Sequence, residues 1–191
     1  MRGRGLESLA ALSLVVAAVQ CGRHAAPGAA AEEAPAAVAA VGPMDAREAD
    51  AWRRAKDGDE TDGMRLAEQV GCDVLRARAD DAALRPTALR TMGFCRDFSE
   101  LPWLADVASS GTDADAVLAL DAIVQQAARE RRPVDPEDAS ELGEGCRSLL
   151  VLARAAGQPR PRRMRAVRAL RMLADRGCVK RADIPPDLDV K

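Results

Sequence analysis

The sequence predicts an all-α domain over residues 44–191, and three observations predict it. From residue 44 onward, apolar side chains recur at three- and four-residue spacing, which lines one side of a 3.6-residue helix. No stretch alternates apolar and polar residues with β-branched enrichment, and nothing reads as a hairpin. Helix punctuation stands where helices should begin and end: Asp45, Thr112, Asp113 and Pro136 at starts, Gly157 and Gly177 at ends.

Taken in order, "DAREADAWRRAK" begins with Asp45 in a capping position and carries Trp52 on an otherwise polar helix. "GMRLAEQVGCDVLRARA" reads as one helical stretch with Leu66, Val70 and Leu75 on one side. "ALRTMGFC" and "LPWLADVASSG" are two short apolar pieces separated by "RDFSE". "TDADAVLALDAIVQQAARERR" offers Thr112 and Asp113 as N-caps and turns Val117, Leu120 and Val124 inward. "DPEDASELGEGCRSLLVLARAAG" opens with Pro136 in its first turn and acidic residues at its N-terminal end, then closes at Gly157. "RPRRMRAVRALRMLADRG" repeats the pattern and stops at Gly177.

Ahead of the domain, "MRGRG" carries Arg2 and Arg4, and after Glu7 comes "SLAALSLVVAAV", a dozen uncharged residues. A basic start followed by an apolar run of this length reads as a signal peptide over residues 1–20. The run is shorter than the roughly 20 apolar residues that span a bilayer. Residues 21–43, nearly all Ala, Pro and Gly, have little large apolar surface to bury and read as a disordered, flexible tether. Ala18-Val19-Gln20-Cys21 resembles the lipobox of bacterial lipoproteins, with Gln20 standing where that family has a small residue. The resemblance implies cleavage before Cys21, lipid attachment there, and a cell-envelope domain facing the periplasm or the cell exterior. Two or three acyl chains hold far more firmly than one.

The net charge of −2 offers no global electrostatic case for nucleic acid. Trp52, Phe94, Phe98 and Trp103 are the whole aromatic content, so stacking platforms are scarce. Arginine far outnumbers lysine, and Asn and Tyr are absent, a bias that fits a GC-rich bacterial genome. With Cys21 lipidated, Cys72, Cys95, Cys146 and Cys178 remain, an even number that suits two disulfides in an exported domain. Of three connectivities, Cys72–Cys95 and Cys146–Cys178 are favoured because each joins neighbouring elements. The other reading makes all four small buried hydrophobes. Zinc is not indicated: there is no C-x-x-C pair, and the single histidine, His24, lies in the tether.

Ala88-Leu89 with Met92, Ala119-Leu120 with Ile123, and Ala169-Leu170 with Leu173 share one pattern, a small residue beside two large ones. That combination lets a neighbouring helix's ridge approach the small residue. Here the chain resembles HEAT-type (armadillo-like) helical repeats, most closely over "LRPTALRTMGFCRDFSELPWLADVASSG", residues 84–111. Residues 112–157 would form the next helix pair and 159 onward a third. The resemblance implies a short right-handed stack of antiparallel helix pairs, an α-solenoid, over most of residues 64–188. The Ala-Leu pairs are about 31 and 50 residues apart, where the family keeps a steadier repeat. An irregular helical domain is the alternative.

No histidine stands in the domain to serve as a base, and no Gly-rich loop to cradle phosphate, so no enzyme and no cofactor is expected. "DGDETDGMRLAE" places Asp57, Asp59, Thr61 and Glu68 at positions 1, 3, 5 and 12 of an EF-hand-like calcium loop. Position 6 holds Asp62 in place of glycine, and the bland reading is a solvated linker. Arg162, Arg165, Arg168 and Arg171 form a basic stripe that would meet an acidic partner or anionic headgroups, beside an apolar stripe of Met164, Val167, Leu170 and Leu173. The expectation that results is a non-enzymatic envelope lipoprotein whose helical repeats bind a protein partner. The alternative is a calcium-binding module built on 57–68.

Overall fold

The first helix forms where Asp45 caps it. In a computed structural model describing residues 42–129, 134–136 and 138–185, the Asp45 carboxylate accepts the Glu48 N–H at 2.7 Å and α1 runs Ala46–Ala55. Trp52, 3% exposed, turns the inner side of that polar helix toward the core, and its indole N–H donates to Glu48 at 3.3 Å. Gly58 takes a positive φ of 83°, the chain turns, and Asp59 caps α2, Glu60–Val70. Gly71, at φ 86°, then separates α2 from α3, Cys72–Arg78. The stretch expected as one helix is therefore two, because Gly71 adopts a left-handed conformation that no continuing helix uses. Leu66 and Leu75 are still fully buried, one on each side of the break.

α4 spans Arg85–Thr91, with Pro86 in its first turn, and tightens into a 3₁₀ turn at Met92–Phe94. α5 is Leu101–Ser110 and α6 is Asp113–Arg129. Thr112 is the side chain that caps α6, accepting the Asp115 N–H at 3.2 Å. α6 buries Ala116, Ala119, Leu120, Ile123 and Ala127, and Val117 and Val124 flank that face as half-buried residues. α7 is Ala139–Arg154, starting three residues after Pro136. Pro136 sits instead in a turn closed by the Asp138 N–H on the Asp135 carbonyl at 3.0 Å, where its fixed φ suits the second turn position. α8 is Arg160–Ala174, and Gly177 at φ 81° follows it. These eight helices and two 3₁₀ turns make the described residues all-helical, within one unit, Val38–Lys191.

Packing sorts the helices into two rows. α4 lies on α6 and α6 on α8, while α5 lies on α7. Across the rows, α5 packs on α6 and α7 on α8; α1 packs on α2, and α2 and α3 on α4. The sequence pairing of residues 84–111 and of 112–157 is thus displaced by one helix. The two-residue link Gly111-Thr112 folds α5 back on α6, whereas the longer link between α6 and α7 leaves those two unpaired. Ala88, Leu89, Met92, Ala119, Leu120, Ile123, Ala169, Leu170 and Leu173 all have no exposed surface. The shared pattern therefore falls at the heart of one row, α4, α6 and α8.

Two disulfides close the domain, with the connectivity favoured from sequence. Cys72 at the start of α3 joins Cys95 just past the 3₁₀ turn, with Cα atoms 6.0 Å apart. Cys146 within α7 joins Cys178 beyond α8, with Cα atoms 6.1 Å apart.

Where α7 packs on α5, a Cβ at Gly145 would stand 2.5 Å from Leu101 Cγ and 3.1 Å from the Leu101 backbone carbonyl carbon. Gly145→Ala is expected to destabilise the domain by up to about 2 kcal/mol, because overpacking of roughly 1–3 kcal/mol outweighs about 1 kcal/mol of helix propensity. On the same helix, a Cβ at Gly143 would meet only Arg147 Nη1, at 3.5 Å. Gly143→Ala is expected to stabilise by up to about 1 kcal/mol. Urea midpoints of the two variants, moving in opposite directions, check the pair.

Candidate functional site

The arginine stripe of α8 does not act as one face. Arg162 is turned inward, with its side chain 11% exposed. Its Nη1 donates to the Ser109 carbonyl at 3.2 Å and Nη2 to the Gly111 carbonyl at 3.2 Å, and Nη2 also meets the Asp113 carboxylate at 2.6 Å. Gln158 joins them, accepting from Arg162 at 3.3 Å and donating to Ser109 at 3.1 Å. This guanidinium closes the carbonyl end of α5, which has no partner within its own helix. Arg165 is half-exposed and lies 3.8 Å from Asp121, while Arg168 and Arg171 are exposed. On the second stripe Val167, Leu170 and Leu173 are core, and Met164 is half-buried.

The acidic segment 57–68 is mostly helix. Only Asp57, Gly58 and Asp59 precede α2, and Thr61 and Glu68 lie on it. The Asp59 carboxylate accepts the N–H groups of Thr61 at 2.9 Å and Asp62 at 3.1 Å, so it serves as an N-cap. Glu68 faces Arg96 at 2.9 Å. A calcium loop of this kind presents ligands from positions 1, 3, 5 and 7 around a sharp turn at position 6, whereas here the backbone is helix from position 4, Glu60, onward. Among the described residues, no group of three or more His, Cys, Asp or Glu is placed to hold a metal ion.

Sequence reasoning missed Glu100. This residue precedes α5, its carbonyl accepts the Leu104 N–H at 2.9 Å, and it is 7% exposed. Its carboxylate meets Arg76 of α3 at 3.3 Å. Nothing local in the sequence links two residues 24 positions apart, although the Cys72–Cys95 bridge brings their segments together. Burial raises the Glu100 pKa above the ordinary carboxylate value; Arg76 opposes this, and Asp97 and Asp73 add to it. A raised folded value means stability gained by protonation, fully present below the unfolded pKa and lost as pH rises through the folded one. Glu100→Gln, which keeps the shape without the charge, is expected to lack that loss. Its melting temperature should gain on the wild type as pH rises from about 4 toward neutrality, then level off. Thermal melts across that range check it.

A solvent-facing cleft of about 770 Å³ opens between α1 and the α2–α3 corner, lined in part by Glu48, Arg54, Arg65, Glu68, Gln69 and Arg78. Several of its charges are paired: Arg78 with Glu48 at 3.0 Å, Arg65 with Asp62 at 3.5 Å, and Arg54 with Asp50 and Asp62. Residues 1–20, expected as a signal peptide, with Cys21, His24 and the expected tether up to residue 41, lie outside the described residues. Among the described residues, no helix is long and apolar enough to cross a membrane. No family model, curated protein or solved structure matches the chain.

Proposed function

We propose that the chain is a non-enzymatic cell-envelope lipoprotein, anchored through Cys21, whose HEAT-like helices form a scaffold for a protein partner. The observation that carries this reading is the row α4–α6–α8, with its three Ala-Leu motifs all fully buried. Repeated small-large motifs are what a stack of helical repeats uses to bury a shared core. Such stacks present an extended face rather than a pocket, and partner binding follows by analogy with that architecture. The two disulfides support an oxidising compartment, which is where the signal peptide and lipobox would send the domain. On the outer side of α7, Val151 is a large apolar residue left 69% exposed, and it marks the expected point of contact.

Intact mass of the protein purified from its own membranes tests the address. A chain starting at Cys21 with added acyl mass supports the reading, and an unprocessed or unlipidated chain overturns it. A photo-reactive amino acid at Val151, activated in intact cells, tests the scaffold. One discrete adduct, absent when the probe replaces exposed Arg53, is expected; the same diffuse labelling from both positions would remove the partner face.

A further inference from the structure

The last helix carries a charge that the rest of the domain opposes. Residues 159–183 hold nine arginines and lysines against two aspartates, a net of +7, while residues 44–158 hold fifteen basic against twenty-three acidic side chains, a net of −8. α8 itself contains six arginines and no carboxylate. Its core side is Ala166, Val167, Ala169, Leu170 and Leu173. At about 100° per residue the opposite side carries Arg160, Met164, Arg168 and Arg171, with Arg165 and Met172 along one margin. Arg160, Arg168, Arg171 and Met172 are exposed, Met172 to 37%. The row from Arg160 to Arg171 extends about 16 Å along the helix.

We propose that this outer face of α8 docks the domain onto an anionic phospholipid bilayer. A protein partner is held chiefly by aromatic and arginine anchors sunk in desolvated pockets. This face has no aromatic residue and presents the outer side of a helix, with guanidinium groups around the one exposed thioether, Met172. A layer of anionic headgroups needs no pocket: each arginine near it contributes about a fivefold gain in binding, and the exposed Met172 rests at the interface. The net negative remainder of the domain is repelled from the same surface, so the charge separation also sets the orientation. The proposal rests on the lipoprotein reading, in which an anchor at Cys21 would keep the domain beside the bilayer.

The test uses the full chain carrying Met172→Trp, with vesicles of phosphatidylcholine alone or with about one-third phosphatidylglycerol. On anionic vesicles, emission from the added indole, taken as the difference from wild type, is expected to shift to the blue. On neutral vesicles it should not. Adding Arg160→Gln, Arg165→Gln and Arg168→Gln should abolish the shift and weaken the indole's response to anionic lipid by about a hundredfold. Arg47→Gln with Arg53→Gln, far along the chain on α1, should leave it unchanged. A chain that sediments with anionic vesicles without any shift overturns the docking face while leaving the anchor intact. Equal shifts on both vesicle types overturn it as well. Silence toward vesicles together with saturable binding of the indole to polyglutamate overturns it in favour of an acidic protein. A shift on anionic vesicles in a protein whose cellular mass shows no acylation keeps the docking face and sinks only the lipoprotein reading.

Discussion

Replacing Cys146 and Cys178 together by alanine is expected to lower the unfolding free energy by about 3–4 kcal/mol. The bridge spans 32 residues and so holds all of α8 within one closed loop. In the chain-entropy account, a loop of that length restricts the unfolded chain by an amount between the 15-residue and 100-residue values of roughly 3 and 4.7 kcal/mol. Cys146 is also 1% exposed, so the alanine leaves a small void in α7 as well as an open loop. For a domain of this size the melting temperature should fall by about 10 °C or more. Cys72–Cys95 spans 23 residues, and its removal should cost only a few tenths of a kcal/mol less if loop closure dominates. Urea titrations of both double-alanine variants under oxidising conditions check this. A loss below about 1 kcal/mol in either would show that the bridge restrains little of the unfolded chain.

Arg162→Ala should cost about 3 kcal/mol, nearly as much. The side chain is almost buried and supplies hydrogen bonds to the Ser109 and Gly111 carbonyls at the end of α5. A hydrogen bond to a charged group contributes roughly 1.5–3 kcal/mol, and several from one guanidinium do not add fully. Removing it leaves the α5 carbonyls and Gln158 to find other partners beneath the α8 N-terminus. Arg162→Lys should rescue less than half, because a single ammonium cannot span the positions that the planar fork reaches. Arg168→Ala, on the same sequence stripe but exposed, should change stability by no more than about 0.5 kcal/mol. Equal effects at the two positions would mean that the α5 clasp contributes nothing.

That contrast shows where sequence reasoning stops. Four arginines at three-residue spacing look equivalent, but each step falls short of a full turn by about 60°, so first and last stand on opposite sides of the helix. Which end faces the core depends on where α5 ends, and α5 is about fifty residues away in the chain. Glu100 and Arg76 meet for a similar reason, through a bridge and a turn that no local pattern announces. The acidic segment shows a different limit. Its spacing matched an ion-binding loop, yet Asp59 caps a helix and Glu60, Thr61 and Asp62 continue it, so local capping decided the backbone.

The amino-acid sequence by itself determined the helical class, the caps at Asp45 and Thr112, the buried Ala-Leu motifs and the favoured pairing of cysteines. The first three depend on periodicity and on short-range hydrogen bonds, which act within a turn or two of the chain; the cysteine pairing, across 23 and 32 residues, followed from joining neighbouring elements. The break at Gly71, the pairing of α5 with α6 rather than α4, the inward turn of Arg162 and the burial of Glu100 were decided by tertiary structure. Each rests on a contact between residues far apart in sequence, or on a backbone turn whose geometry only the packed neighbours select.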